Sequence, residues 1–209
     1  MYQCINKNID NLLDEIGHEH VKDYEFLLNE LSSINVAKDI NYQTKYRTFW
    51  VMRYISPDSD FNTKYFEFLE NNKNKKSVTL DEVCTHFNGV TTDKAGKYSS
   101  FQFSFISKLM HMINGTFPIY DSKVRDFYFI PISSDNNFEK KRKNANGLIY
   151  YLIQEQKKAI ACKEIKSAMN KFKNRFSPHN FSDEKILDSL IWGYVKYREK
   201  KVKQYIIDN

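Results

Sequence analysis

Lys108 and Asp121 are the two side chains whose types and placement suit chemistry at a cationic carbon. The spacing predicts a helix over 101–113. At 100° per residue its Phe101, Phe103, Phe105, Ile106, Leu109, Met110, Met112 and Ile113 cover an arc of roughly 200°, twice that of an ordinary surface helix. Such a helix is central and buried. Its remaining arc carries Ser104, Ser107, Lys108 and His111 in one polar strip. A lysine there must reach water along an edge, find a partner or line a cleft, and a desolvated lysine loses its proton and becomes a nucleophile. After Ile113, Asn114-Gly115 reads as a left-handed helix stop, and Thr116-Phe117-Pro118-Ile119-Tyr120 must run extended before Asp121 caps the next helix. Five helical residues advance about 7.5 Å and seven extended ones retrace more than twice that, so Asp121 can return level with Lys108. A carboxylate at a helix N-terminus is favoured in its charged form, although aspartate often occupies that position only as a cap.

Other constellations carry less. Cys4, Cys84 and Cys162 are isolated and odd in number, which excludes a disulfide framework and a four-cysteine metal or iron-sulfur site. His18 and His20 flank a glutamate without a third ligand nearby, and His86, His111 and His179 stand alone, so neither metal nor cofactor is expected. Arg175 and His179 are the nearest approach to a helical ribonuclease pair, but Pro178 between them breaks the helix such a pair needs.

The elements that must position Lys108 and Asp121 are helices. Glycine and proline total 10 of 209 residues, about 5 % where an average chain has roughly 12 %, too few for the turns of many short strands. Aromatic residues at 15 % exclude disorder, and the short apolar runs exclude a membrane span. The first thirty residues are acidic and lack a signal-peptide pattern, so a cytoplasmic location is expected. Val21, Tyr24, Leu27, Leu28 and Leu31 recur at helical spacing, as do Ile186, Leu187, Leu190, Ile191 and Tyr194. Further helices are predicted over 38–55, 62–71, 80–87, 122–127, 138–154 and 160–176, with Thr79 and Ser182 as N-caps. Polar breaks fall at 71–76 and 133–137, and Tyr128 to Ile132 reads as a short extended piece. The fold class is all-α, a single domain over 1–209 whose terminal helices pack around region 78–130.

Charge is polarised along the chain. Residues 1–100 hold 12 Lys+Arg against 15 Asp+Glu, a net of −3, whereas 101–209 hold 20 against 11, a net of +9. Within 138–175 stand 11 basic and 3 acidic residues, opening on Lys140, Lys141, Arg142 and Lys143. Such a field attracts a polyanion, and nucleic acid is the natural one, although scattered lysines are often only solvated surface.

The stretch from Phe105 to Val124, with its Ser107-Lys108-Leu109 and Phe117-Pro118-Ile119-Tyr120-Asp121-Ser122, resembles the helix-hairpin-helix DNA glycosylase superfamily. It is most similar to small bacterial proteins of oxoguanine-glycosylase-like fold. Asp188 to Tyr194 is similar to their closing helix. The resemblance implies a helix-hairpin-helix-type fold, with Asp121 as the catalytic carboxylate and Lys108 as the amine of a bifunctional glycosylase/lyase. The hairpin loop reads Gly96-Lys97-Tyr98-Ser99-Ser100, with one glycine. Ser99, Ser100, Lys123, Arg125 and the Lys140–Lys143 run are candidate contacts to the DNA backbone. His111, Tyr120, Trp192 and Tyr194, with Trp50, are candidates to touch or stack on a flipped base. The expected function is a monomeric DNA glycosylase acting on a modified or damaged base, in base-excision repair or antiviral defence. The rival expectation is a catalytically silent DNA-binding module on the same fold.

Overall fold

The structure is a computed structural model and describes residues 2–75, 77–132 and 137–208. Ten α-helices stand among them, and the only β pairing among them is one antiparallel bridge, Thr91 with Ser99. They are α1 (Tyr2–Lys7), α2 (Ile9–Ser33), α3 (Ile40–Phe49), α4 (Asp60–Asn72), α5 (Leu80–His86), α6 (Phe103–Ile113), α7 (Ser122–Tyr128), α8 (Phe138–Ala161), α9 (Lys163–Phe176) and α10 (Asp183–Asp208). The fold is all-α, around one contiguous hydrophobic cluster that draws residues from every helix. No described helix is long and apolar enough to cross a membrane.

The terminal helices form the frame. α10 packs against α2 and α7, and Gly193 lets α10 approach closely: a Cβ there would lie 3.0 Å from Ile16 Cγ1. α2 bends at Gly17 (φ 70°, ψ 159°), a conformation that glycine adopts without penalty. Thr79 closes a capping box with Glu82, and the Ser182 hydroxyl accepts from Lys185 N at 3.1 Å, so both predicted caps act as such.

α6 is the central helix, with Phe103, Phe105, Ile106, Leu109, Met110 and Met112 all buried. Its start lies at Phe103 rather than Phe101, because Thr92 N donates to Tyr98 O and the Thr91–Ser99 bridge holds the preceding chain extended.

Several boundaries depart from the sequence expectation. The helix predicted over 38–55 stops at Phe49, because the Arg47 guanidinium collects the carbonyls of Met52 and Ile55 and Pro57 disfavours helix in the residue before it. α8 runs on to Ala161 instead of ending at Gln154, since nothing between them breaks a helix, and α9 starts at Lys163. Asn114 is extended (φ −133°) and Gly115 is not left-handed. α6 instead ends where Phe117 N bonds Asn114 O and the Asn114 side chain accepts from Thr116 N. Tyr128 is helical and Phe129 takes the left-handed conformation, so the chain does not run extended from Tyr128. Lys76 and Ser133 to Asn136, within the two predicted polar breaks, lie outside the described residues.

Candidate active site

α6 carries Lys108 into the interior, where the side chain is 6 % exposed. Its Nζ donates to Trp50 O at 3.2 Å and to Ser104 Oγ at 3.3 Å, and lies 5.2 Å from the Phe105 ring centroid. Burial pulls its pKa below the ordinary lysine value and nearby Lys185 adds to this, while Asp121 and Asp188 oppose it. The residue after Trp50, Val51, is left-handed (φ 56°), a costly conformation for a β-branched side chain.

The return segment is stitched to α6 at two points. His111 Nδ1 donates to Phe117 O at 2.8 Å, and Tyr120 N donates to Ser107 Oγ at 2.9 Å. The second bond lies one residue from Lys108 on one strand of the stitch and one from Asp121 on the other, which brings the two level. Asp121 caps α7, its Oδ1 accepting from Lys123 N and Val124 N, each at 2.9 Å. Among the described residues it makes no direct ion pair with Lys108, but both line one cavity of about 40 Å³.

Aromatic rings and a second buried lysine wall that cavity. Trp50 and Phe49 come from the end of α3, His20 from α2, and Lys185, Asp188 and Trp192 from α10. Lys185, 2 % exposed, pairs with Asp188 at 2.7 Å, and its Nζ sits 4.9 Å from the Tyr24 ring and 5.1 Å from the Trp50 ring. A buried cation is tolerated there because a carboxylate and ring faces replace its water. His20 is stacked on Phe49 and on Trp192, and burial, with Lys185 and Lys196 nearby, lowers its pKa to about 3. His20 Nε2 and Trp50 Nε1 are buried without hydrogen-bond partners, each omission costing about 1–3 kcal/mol.

The sequence-derived candidates separate. Lys108, Asp121, Trp50 and Trp192 meet at the cavity, whereas His111, Tyr120 and Tyr194 do not line it. His111 is a core residue: Phe117 O can only accept, so Nδ1 carries the proton and Tyr24 OH donates to Nε2 at 2.7 Å. Burial lowers its pKa to about 3. Tyr120 packs on Phe103, and Tyr194 meets Phe127 edge-on. Two residues along α10 is a 200° turn, which aims Trp192 and Tyr194 in nearly opposite directions. His20, Phe49, Lys185 and Asp188 are cavity residues that sequence reasoning misses. Lys185 and Asp188 sit on the side of α10 away from the apolar arc of Ile186, Leu187, Leu190 and Ile191, so the helical spacing carries no signal for their burial.

The backbone candidates are a surface set. Ser99, Ser100 and Lys141 line a depression between the 88–101 loop and the start of α8. Arg142 is held by Asp81 and Glu139, each at 2.7 Å, and Lys140 and Lys143 flank the same carboxylates. Lys123 pairs with Glu199 at 2.6 Å and Arg125 with Asp126 at 3.0 Å. Comparison with protein-family models, with curated proteins and with solved structures finds no match for this chain.

Proposed function

We propose that this chain is a DNA glycosylase of helix-hairpin-helix type, cutting the N-glycosidic bond of a modified base flipped out of DNA. The observation that carries the reading is the meeting of a desolvated lysine and a cap-held aspartate at one aromatic-walled cavity. The lysine's lowered pKa raises the share of neutral amine able to attack C1′. In that step the amine lone pair forms the C1′–N bond, the base leaves with the electrons of the glycosidic bond, and the base takes up a proton. Asp121 stabilises the oxocarbenium-like sugar as positive charge builds. The adduct loses its amine proton and the C1′–O4′ bond opens, O4′ taking up a proton, to give the imine; loss of a C2′ proton then expels the 3′ phosphate and cuts the strand. If Trp50 O and Ser104 hold Lys108 back, water oriented by Asp121 attacks instead and an intact abasic site remains.

The basic half of the chain supports DNA as the partner, through the Ser99, Ser100 and Lys141 depression and the start of α8. One observation favours the silent DNA-binding module: a cavity of about 40 Å³ has room for about one water, not a base. Incubating the protein with duplex and single-stranded oligonucleotides carrying oxidised, alkylated or bulky modified bases, with and without borohydride, tests both readings. Free base with a trapped adduct supports the bifunctional enzyme, and free base alone the water route. Binding without release from any substrate supports the silent module.

A further inference from the structure

His20 has the position and shape of a ligand. Its imidazole stacks on Phe49 (centroids 4.8 Å, 29° between planes) and on Trp192 (5.1 Å, 16°). Among the described residues Phe49 and Trp192 make no ring contact with each other, so the imidazole separates them. A planar heteroaromatic ring held between two near-parallel rings is how an extruded base is bound. The imidazole makes poor use of the place, since Nε2 is buried without a partner. Beside it the Trp50 indole N–H, on a residue 5 % exposed, is a donor with no acceptor. Unpaired buried groups are rare enough in native folds to call for a cause, and a ligand that supplies the missing partner is one. His20 also stands three residues beyond Gly17, where α2 departs from helical geometry and can absorb a displacement.

We propose that the space between Phe49 and Trp192 is a binding slot for a planar heteroaromatic base with a hydrogen-bond-accepting edge, and that His20 fills it in the free protein and is displaced as the base enters. The accepting edge follows from the unpartnered donor of the wall, Trp50 Nε1–H, since the Asp121 and Asp188 carboxylates there are already engaged by the α7 amides and by Lys185. Displacement reconciles a cavity of about 40 Å³ with a base-sized ligand, because the volume needed is the volume the imidazole now takes together with that void. The slot rests on the reading of the substrate as a base, and names its place, its edge and the residue that yields.

The chain has two tryptophans, Trp50 and Trp192, and both line the cavity, so intrinsic emission reports its occupancy. Hypoxanthine, a planar ring with carbonyl and ring-nitrogen acceptors, is titrated into the wild type and His20→Ala. Indole, of similar size but without an accepting lone pair, is the control, its binding read by isothermal titration calorimetry because it emits where tryptophan does. His20→Ala is expected to bind hypoxanthine at least ten-fold tighter than the wild type, with quenching of tryptophan emission. Indole should bind at least ten-fold more weakly, added imidazole should compete, and Phe49→Leu in the same background should abolish the gain. Equal affinity of wild type and variant overturns the slot, and equal binding of indole and hypoxanthine overturns the accepting edge. If far-UV circular dichroism shows His20→Ala unfolded, the His20 Cε1–H resonance of the wild type is followed instead, at saturating hypoxanthine. A shifted resonance supports displacement. An unshifted resonance alongside saturable quenching, or no quenching at all, overturns it. Gained affinity without base release from any oligonucleotide keeps the slot and rejects the glycosylase. Base release without gained affinity does the reverse.

Discussion

The chain uses lysine in two opposite ways. Around α6 and α10, Lys108 and Lys185 are buried among rings, carbonyls and one carboxylate, and their environment sets their position. At the start of α8, Lys140, Arg142 and Lys143 lie at the surface beside Asp81 and Glu139, and Lys141 faces Ser99 and Ser100. An interior charge is fixed by the groups that replace water, so its removal or pairing has large local consequences. A surface charge acts mainly by summing into a field that salt screens. On the proposed reading the chemistry belongs to the first region and the general attraction of DNA to the second.

The sharpest way to break that contrast is Asp121→Asn. The variant keeps size and most capping geometry while losing charge, so base release should fall by about 10²–10³-fold or more, with thermal stability and DNA affinity nearly unchanged. Retained base release removes Asp121 from the chemistry. Lys185→Met should be the most damaging change to stability, since it strands the half-buried Asp188 carboxylate beside the cavity. Urea unfolding should show a loss of about 3–5 kcal/mol, largely recovered in Lys185→Met/Asp188→Leu.

Lys108 gives a smaller effect with a defined pH sign. Lys108→Gln should eliminate borohydride trapping if the amine attacks. In the wild type, trapping should rise with pH and level off below the usual lysine value of about 10.4, because burial lowers the folded pKa. Stability moves the same way: between the lowered folded pKa and the unfolded one, the unfolded chain binds the extra proton, so raising pH favours folding. Lys108→Met should therefore stabilise the protein at neutral pH, with the gain shrinking as pH approaches the unfolded value.

The smallest effects belong to the surface. Neutralising Lys140, Lys141, Arg142 and Lys143 should weaken DNA binding of every sequence alike and lower the slope of log affinity against log salt by about 0.9 for each phosphate no longer neutralised. Arg142, already shared between two carboxylates, should contribute least. Neutralising Lys73 and Lys75 should change the slope little, since Lys73 is tied to Ile34 O and Glu70. Equal slopes for both sets would erase the distinction between the two halves.

Much of the frame was legible because helices are local. The apolar spacing of α2, α6 and α10 and the caps Thr79 and Ser182 are readable within one or two turns of sequence. The end of α3 was not, since it depends on an Arg47 side chain reaching carbonyls five and eight residues ahead. The nearness of Lys108 and Asp121 was permitted by chain length and is fixed by the Tyr120 N to Ser107 Oγ bond. The fate of His111 did not, because from one helix a polar strip aimed at a cleft and one aimed at Tyr24 look the same.

What the sequence determined by itself was the helical class, the central position of α6 and the polarity of charge, all set by contacts or sums along the chain. The tertiary structure alone decided which side chains share the cavity. His20, Phe49 and Trp192 are separated by up to 172 residues, and their stacking exists only once α2, α3 and α10 are packed together. The same packing buries Lys185 beside Asp188 and leaves the Trp50 indole without an acceptor, and burial of this kind has no signature in the spacing of residues along one helix.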